Sequence, residues 1–529
     1  MGRLGATTEE RVAAAATALC VLLGLWLRAR GFFYDAPAFW VDECAWAVYV
    51  MEQPLVDLLI RPPGFMAVSK LAAVLFGPTE AALRALPWCA GVAATLFAPF
   101  LARRLFSAPA ARILFVAIIA LHPSAISFAK EYKPYEVSMT LHLALVLLAL
   151  RYVATRTARD LAWLLALAFL GGPFAQDLVF AYPGIFLVAG YDAFRHRRRH
   201  IPAIALTAAA ILGVLALQYV LIWSRITEQD SEFWGNKYNV FYGARSRSSY
   251  LGWFFDRYQG IATFPGYHRT YWDADWLSES AWSALQGIAV AIWLVIHFVG
   301  VASMLLRRRF RELLLLLLPI GVVWVFNAAR IWPFGLFRAN LFMLGYSAAI
   351  AAMSFDRPSL RWPAVRALIP ASVLILIPIF WFENGWGPTK RALTYTSQFP
   401  EVVVWLSEQP YAKGRPPATL LIDRKSCDPW RYYVEFNPTT SRLRRKLERA
   451  YRARCIDSDG RLGDAVMSAL DTEERPLWLL FNIRTRTKPV IASVKDRAEI
   501  VSRATRGRHT AIALGNAPRK GRDAAPPHP

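Results

Sequence analysis

The sequence predicts an all-helical polytopic membrane domain of about eleven crossings, followed by a small α/β domain and a short tail. Three observations predict it. Apolar residues make up 56% of the 529 residues, above the roughly 45–50% of soluble globular proteins. Up to about residue 381 they fall in runs near the roughly 20 residues that cross a bilayer. Beyond that point short apolar runs alternate with amphipathic ones. The 20 Trp, 32 Phe and 20 Tyr argue against disorder. The length also exceeds what a single core of about 250–300 residues fills. The expected domains are 1–381 (transmembrane), 382–515 (α/β) and 516–529, a Pro-rich tail without structure.

In chain order the crossings are expected near 11–29, 80–102, 109–128, 136–153, 160–175, 178–194, 201–223, 284–306, 312–328, 338–355 and 364–381. The first run is long and lacks a small-residue cleavage site, so it reads as a retained helix. The segment 62–77 is apolar but short and opens on two prolines. It reads as a helix lying along the outer membrane surface. Lys and Arg total 61 against 38 Asp and Glu, a net charge of +23. Most of these cations sit in short loops between apolar runs, so membrane topology explains them and no nucleic-acid partner is expected. The clusters are Arg103–Arg104, Arg151 to Arg159, Arg195 to Arg199, Arg307 to Arg311 and Arg357 to Arg366. With the N-terminus inside, all five face the cytoplasm. Arg28 and Arg30, at the outer end of the first helix, run against that rule.

Three regions then face outward: 30–79, about 224–283, and 382–529. In the last, ATLLIDRKSC and RPLWLLFNI read as buried strands, and EVVVWLSEQ and RLRRKLERAYR as helices. Cys427 and Cys455 can pair if this region is oxidised, but two residues do not establish it.

Three outer features carry chemistry. Asp42–Glu43 sit among Phe39, Trp40, Val41 and Trp46. A carboxylate in such surroundings is partly desolvated and becomes a better base. The alternative is that Asp42 only caps a surface helix beginning at Glu43. Lys130, Glu131, Tyr132, Lys133 and Tyr135 crowd a short loop before Pro134 and the fourth crossing. They read either as an anion- or metal-handling loop or as snorkelling lysines in an aromatic belt. Arg330 and Arg338 flank a Pro-Phe-Gly turn on the side where arginines are disfavoured. A guanidinium there suits a phosphate, or else an internal carboxylate. Arg61, before Pro62–Pro63, is a similar outward cation. His122, His142 and His297 read as packing residues, while Asp177 and Tyr267–His268 face outward with no assigned role. No HExxH, Walker, CxxC or GxSxG context occurs.

The order of these pieces resembles the membrane-embedded GT-C glycosyltransferases. The pieces are Asp42–Glu43, then Arg61-Pro-Pro opening an apolar helix, then Ala129-Lys-Glu-Tyr-Lys-Pro-Tyr135, then Pro333-Phe-Gly with Arg338. The resemblance covers roughly 11–381. It is strongest to the bacterial branch related to protein O-mannosyltransferases and the lipid A aminoarabinose transferase. It implies a GT-C type fold in the bacterial inner membrane, with the N-terminus cytoplasmic and the C-terminal domain periplasmic. It also implies inverting transfer of a sugar from a polyprenyl-phosphate donor to a hydroxyl on a glycan, lipid or protein. Asp42 matches the family's base, with Glu43 beside it. Arg61 and Arg338, with Arg330 as second choice, match its donor-phosphate cations. Glu131 matches an acceptor- or metal-binding acid, with Lys130, Tyr132, Lys133 and Tyr135 around it. Ile60 stands where the aminoarabinose motif carries Glu, which argues against a metal, so no cofactor is expected. The competing reading is a transporter or flippase of a lipid-linked sugar. Such a protein needs midplane charges or repeated halves, and neither is evident. A scaffold whose activity lies in the C-terminal domain is disfavoured because that domain has no Gly-rich phosphate loop.

Overall fold

Backbone groups in hydrocarbon have to be satisfied internally, so the apolar runs form helices. The computed structural model describes residues 8–30, 32, 38–54, 61–220, 241–242, 249–266, 279–335, 338–356, 398–409, 417–456, 462–472, 477–482, 498–506 and 509–516. In chain order the helices begin with α1 (Thr8–Ala29), α2 (Val41–Glu52), α3 (Pro63–Phe76), α4 (Glu80–Leu105), α5 (Pro109–Leu121) and α6 (Pro123–Phe128). They continue with α7 (Tyr135–Thr155), α8 (Ala158–Gly171), α9 (Tyr182–His196), α10 (Ile201–Gln218), α11 (Tyr250–Thr263) and α12 (Glu279–Leu306). Then come α13 (Phe310–Ala328), α14 (Met343–Met353), α15 (Phe399–Glu408), α16 (Arg424–Arg431), α17 (Arg444–Ala450) and α18 (Leu462–Thr472).

Every expected crossing through 338–355 coincides with helix, as does the expected helix at 62–77. The run at 109–128 is two helices, because Pro123 has no N–H to continue α5 and instead opens α6. Glu10–Ala29, α4, α7, Arg198–Gln218 and α13 are long and apolar enough to span a bilayer. Helices α3, α5 and α14, with Val290–Leu306 in α12, are shorter apolar helices. The expected total of eleven is therefore not reached among the described residues, and the last crossing, 364–381, lies outside them. So do most of 224–283 and the tail from residue 517.

The chain divides into two compact units. The first takes Met1–Tyr34, Leu55–Val68 and Arg84–Thr389, and the second Asp35–Pro54, Ser69–Leu83 and Lys390–Pro529. In the first, α5 is buried on nearly every face and packs along α1 and α14, as a helix apolar all round must. One end of this unit is tied by buried acids. Asp356 accepts from the N–H groups of Ser107 and Ala108, each at 2.7 Å, and from Arg309 at 2.8 Å. Asp192 accepts from Arg156 Nε at 3.0 Å and Arg311 at 3.1 Å. These bonds gather the α4–α5, α7–α8 and α12–α13 connections with the ends of α9 and α14. The basic clusters from Arg103 to Arg311, expected on one side, do share one rim. Since α5, α8 and α13 start there and α7 ends there, the connections 129–134, 172–181 and, in its described parts, 329–335 and 338–342 share the other rim.

The second unit is built on a five-stranded sheet. Its strands are β1 (Ala418–Asp423), β2 (Tyr451–Ile456), β3 (Leu477–Asn482), β4 (Ala498–Arg506) and β5 (His509–Asn516), ordered β2-β1-β3-β5-β4. Strands β2 and β3 flank β1 in parallel, while β5 is antiparallel to β3 and β4. Two expected boundaries move. The ATLLIDRKSC strand ends at Asp423, whose carboxylate caps α16 by accepting from Ser426 N–H at 2.9 Å. The helix expected through Arg452 stops at Ala450, and the chain turns into β2. A disulfide joins Cys427 to Cys455, their Cα atoms 5.8 Å apart and 28 residues apart in sequence. Closing such a loop removes about 3–4 kcal/mol of unfolded-chain entropy.

Close packing in the first unit yields a direct test. A Cβ on Gly300 of α12 would stand 1.9 Å from the Ile350 carbonyl oxygen of α14. Gly300→Ala is expected to cost about 1–3 kcal/mol through overpacking, read as a lower unfolding temperature of the purified protein in detergent. An unchanged unfolding temperature would mean that the two helices do not meet there.

Candidate functional site

The rim opposite the basic clusters is organised by Arg28. Its side chain is wholly buried. The guanidinium donates to the carbonyls of Gly24 (3.2 Å), Ala120 (2.6 Å) and Ile119 (3.1 Å), and lies 3.7 Å from Glu136. It therefore satisfies orphan carbonyls at the C-terminus of α5 while its charge is balanced by the first turn of α7. Room for it is made by Gly91, where a Cβ would stand 3.1 Å from Arg28 Nε and 2.7 Å from Ala129 Cβ. The exception to the positive-inside pattern at Arg28 is thus an internal ion pair. The sequence marked it only as an outward arginine, and Glu136 escaped notice.

Between α6 and α7 lie the loop residues expected to handle substrate. Tyr132 is buried and stacks on Phe65 of α3, ring centres 5.5 Å apart. The α3 N-terminus also meets the turn after α8, where Gly64 N–H donates to Pro173 O at 2.8 Å. The half-buried Arg61, just ahead of α3, is thereby carried on a helix that packs against the Lys130–Tyr135 loop. Tyr135 stands edge-on to Phe128 at 5.4 Å, and Lys133 is buried. Lys130 and Glu131 are half-buried. Burial, with Arg28 and Arg30 nearby, lowers the Lys130 ammonium to about 8.

Arg338 begins a 3-10 turn, Arg338–Asn340, before α14. Asn340 holds it, donating to Pro333 O at 2.8 Å and Gly335 O at 2.9 Å and accepting from Trp332 Nε1 at 2.7 Å. Phe180 packs against Trp332 (5.3 Å) and Phe342 (5.8 Å), fastening this turn to the segment after α8. Arg338 is half-buried, whereas Arg330 is exposed in the left-handed conformation, φ 58°. Asp177, expected to face outward, is buried instead. It accepts from Ser138 Oγ and lies 3.9 Å from His142 Nε2, while His142 Nδ1 bonds the Tyr346 hydroxyl at 2.7 Å. Sequence reasoning missed this buried network, since a His in an apolar run gives no partner.

Asp42 and Glu43 belong to the second unit. The α2 N-cap is Trp40, not Asp42, so the expected capping role falls elsewhere. Glu43, at N3, folds back to accept from Trp40 N–H at 3.3 Å and is almost fully buried. Asp42 lies in the first helical turn and is half-buried. The helix is seated by Phe39, whose N–H donates to the Tyr433 hydroxyl at 2.7 Å and whose ring meets Tyr432 at 5.0 Å. Arg431 pairs with Glu52 at the other end of α2. One carboxylate is thus spent on its own backbone, while the other stands in the first helical turn beside it.

The fold of this chain is one already seen in solved membrane-protein structures. Among solved structures it matches ArnT from Cupriavidus metallidurans in the apo state, with TM-score 0.53 and 14% identity over 95% of this chain and 98% of that one. The same enzyme bound to undecaprenyl phosphate matches with TM-score 0.51 and 14% identity, over 96% and 98% of the two chains. The archaeal oligosaccharyltransferase AglB from Archaeoglobus fulgidus, in complex with an inhibitory peptide and a dolichol-phosphate, has TM-score 0.46 and 11% identity, over 92% and 71%. No family model and no curated relative matches the chain.

Truncating Arg28 to Met should leave Glu136 buried without a partner and cost about 3–5 kcal/mol. Arg28→Met combined with Glu136→Met should cost less than the two singles added. Thermal unfolding in detergent measures both, and strict additivity would show that the pair does not couple.

Proposed function

We propose that this chain is an inverting glycosyltransferase. It moves a sugar from a polyprenyl-phosphate donor to a hydroxyl acceptor at the periplasmic face of a bacterial inner membrane. The observation that carries this reading is a fold shared along nearly the whole chain with an enzyme solved bound to undecaprenyl phosphate. The N-terminus and the basic rim face the cytoplasm, in keeping with the positive-inside pattern. The rim bearing Lys130 and Arg338 faces the periplasm.

In the proposed reaction Asp42 accepts the proton of the acceptor hydroxyl as its oxygen attacks the anomeric carbon. The bond from that carbon to the phosphate oxygen breaks, and polyprenyl phosphate departs with the electron pair. Arg61 and Arg338 neutralise the charge that develops on the leaving phosphate, the kind of contact that stabilises a transition state most. Glu43 holds the start of α2 and with it the position of Asp42. Lys130, Glu131, Lys133 and the two tyrosines bind donor and acceptor. A single displacement inverts the anomeric centre. The proposed reaction uses no metal ion.

Purified Asp42→Asn protein should lose at least about a hundredfold of its transfer rate, as removal of a general base does. Its unfolding temperature should stay unchanged. The assay is transfer from a panel of radiolabelled prenyl-phosphate sugars, and near-normal turnover by the variant would remove the mechanism. A second test uses Lys130. With its ammonium at about 8, the free enzyme loses that positive charge as pH rises through 8. The kcat/KM for donor should fall over that range, and Lys130→Arg should move the fall to higher pH. A profile identical in both proteins would exclude Lys130 from donor binding.

A further inference from the structure

The second unit carries a strip of positive charge that the transfer reaction does not use. Between Arg444 and Arg454 lie six cations, namely Arg444, Arg445, Lys446 and Arg449 on α17 and Arg452 and Arg454 on β2. All six are exposed. The single acid in the stretch, Glu448, bonds Arg444 at 2.7 Å. Strand β2 is an edge of the sheet, pairing only with β1 among the described strands. Its residues 452–455 are exposed in succession, and Arg452 and Arg454, two residues apart, project from the same face of the strand. An exposed edge strand commonly carries charge to prevent strand addition. That purpose needs one or two charges. Here exposed cations stand on both the strand and the helix before it.

We propose that this strip is a docking surface for a polyanionic polysaccharide, a hydrophilic chain bearing carboxylate or phosphate groups at regular intervals. Charge complementarity points to an anionic partner, and the side chains between the cations select among such partners. The large apolar side chains in the stretch are all turned inward: Leu447, Tyr451 and Ile456 are buried. The strip therefore offers no aliphatic or aromatic anchor of the kind that seats an amphipathic element in a lipid interface. It offers no exposed ring on which a nucleobase could stack. Recognition by charge alone along a strip of helix and strand suits a chain whose anionic groups recur. Tyr451 fixes the strip's register by donating to Leu406 O at 3.0 Å, and the Cys427–Cys455 bond ties the same strand to α16.

The test uses the full-length protein in neutral detergent and measures binding of polygalacturonate, of a single-stranded oligonucleotide of equal charge, and of vesicles containing phosphatidylglycerol. Polygalacturonate should bind most tightly, with an affinity that falls as salt rises. Charge reversal at four exposed positions, R445E/R449E/R452E/R454E, should weaken it by about tenfold or more, while lysine at the same four positions should retain it. Glutamine at the four positions serves as a second variant of smaller perturbation and should also lose binding, with an unfolding temperature equal to that of the unaltered protein. The proposal fails if the unaltered protein does not bind polygalacturonate, or if the glutamine variant binds it equally well. It also fails if the oligonucleotide or the vesicles bind more tightly at the same ionic strength.

Discussion

A guanidinium cut off from water must be both neutralised and hydrogen-bonded, and in this protein Arg28 meets both demands only where α1, α5 and α7 come together. Its donors end α5, and its counter-charge opens α7. The rest of that rim follows from this constraint. The short α6 and the loop of Lys130 and Tyr132 have to fit between an α5 that stops at Leu121 and an α7 that starts at Tyr135. Small residues are required beside the pair, and Gly91 and Ala129 supply them. A buried ion pair adds little net stability over well-packed apolar side chains. Its effect here is to fix which helix ends meet.

The two rims of the first unit use charge in opposite ways. At the basic rim, buried aspartates collect several partners each, and most of the arginines they bind remain partly exposed. The helices there are strapped from outside. At the other rim the tying is done by aromatic stacking and backbone carbonyls, through Phe65 on Tyr132, Phe180 on Phe342, and Asn340 on the Pro-Phe-Gly turn.

Much of this was legible in the sequence, for identifiable reasons. Membrane-length runs from residue 11 to 355 announced their helices because hydrocarbon leaves the backbone no other choice. The order of Asp42–Glu43, Arg61-Pro-Pro, the Lys130 loop and Arg338 was enough to name the fold class that the structural match bears out. What escaped depended on partners distant in the chain. Nothing near Arg28 says that Glu136 lies beside it, and nothing near His142 points to Asp177 or Tyr346. Glu43 looked like half of a catalytic pair, yet an N3 glutamate is equally suited to close a capping box, and that is where its carboxylate goes. In the second unit β2, β4 and β5 were missed because their signals are atypical: the first is an arginine-rich edge, the second mixes charged with apolar residues, and the third carries Gly and Ala between its apolar residues.

The cystine between α16 and β2 gives this molecule a dependence on where it matures. Thiols held reduced by a glutathione or thioredoxin pool would leave the arginine-bearing edge strand moored by its ladder to β1 and the Tyr451 bond to Leu406 O. Export into an oxidising space would weld it to the helix that also carries Arg431 and thereby grips α2. Oxidative folding would then lock together the carboxylate-bearing helix and the cationic edge, two surfaces nearly 400 residues apart along the polypeptide.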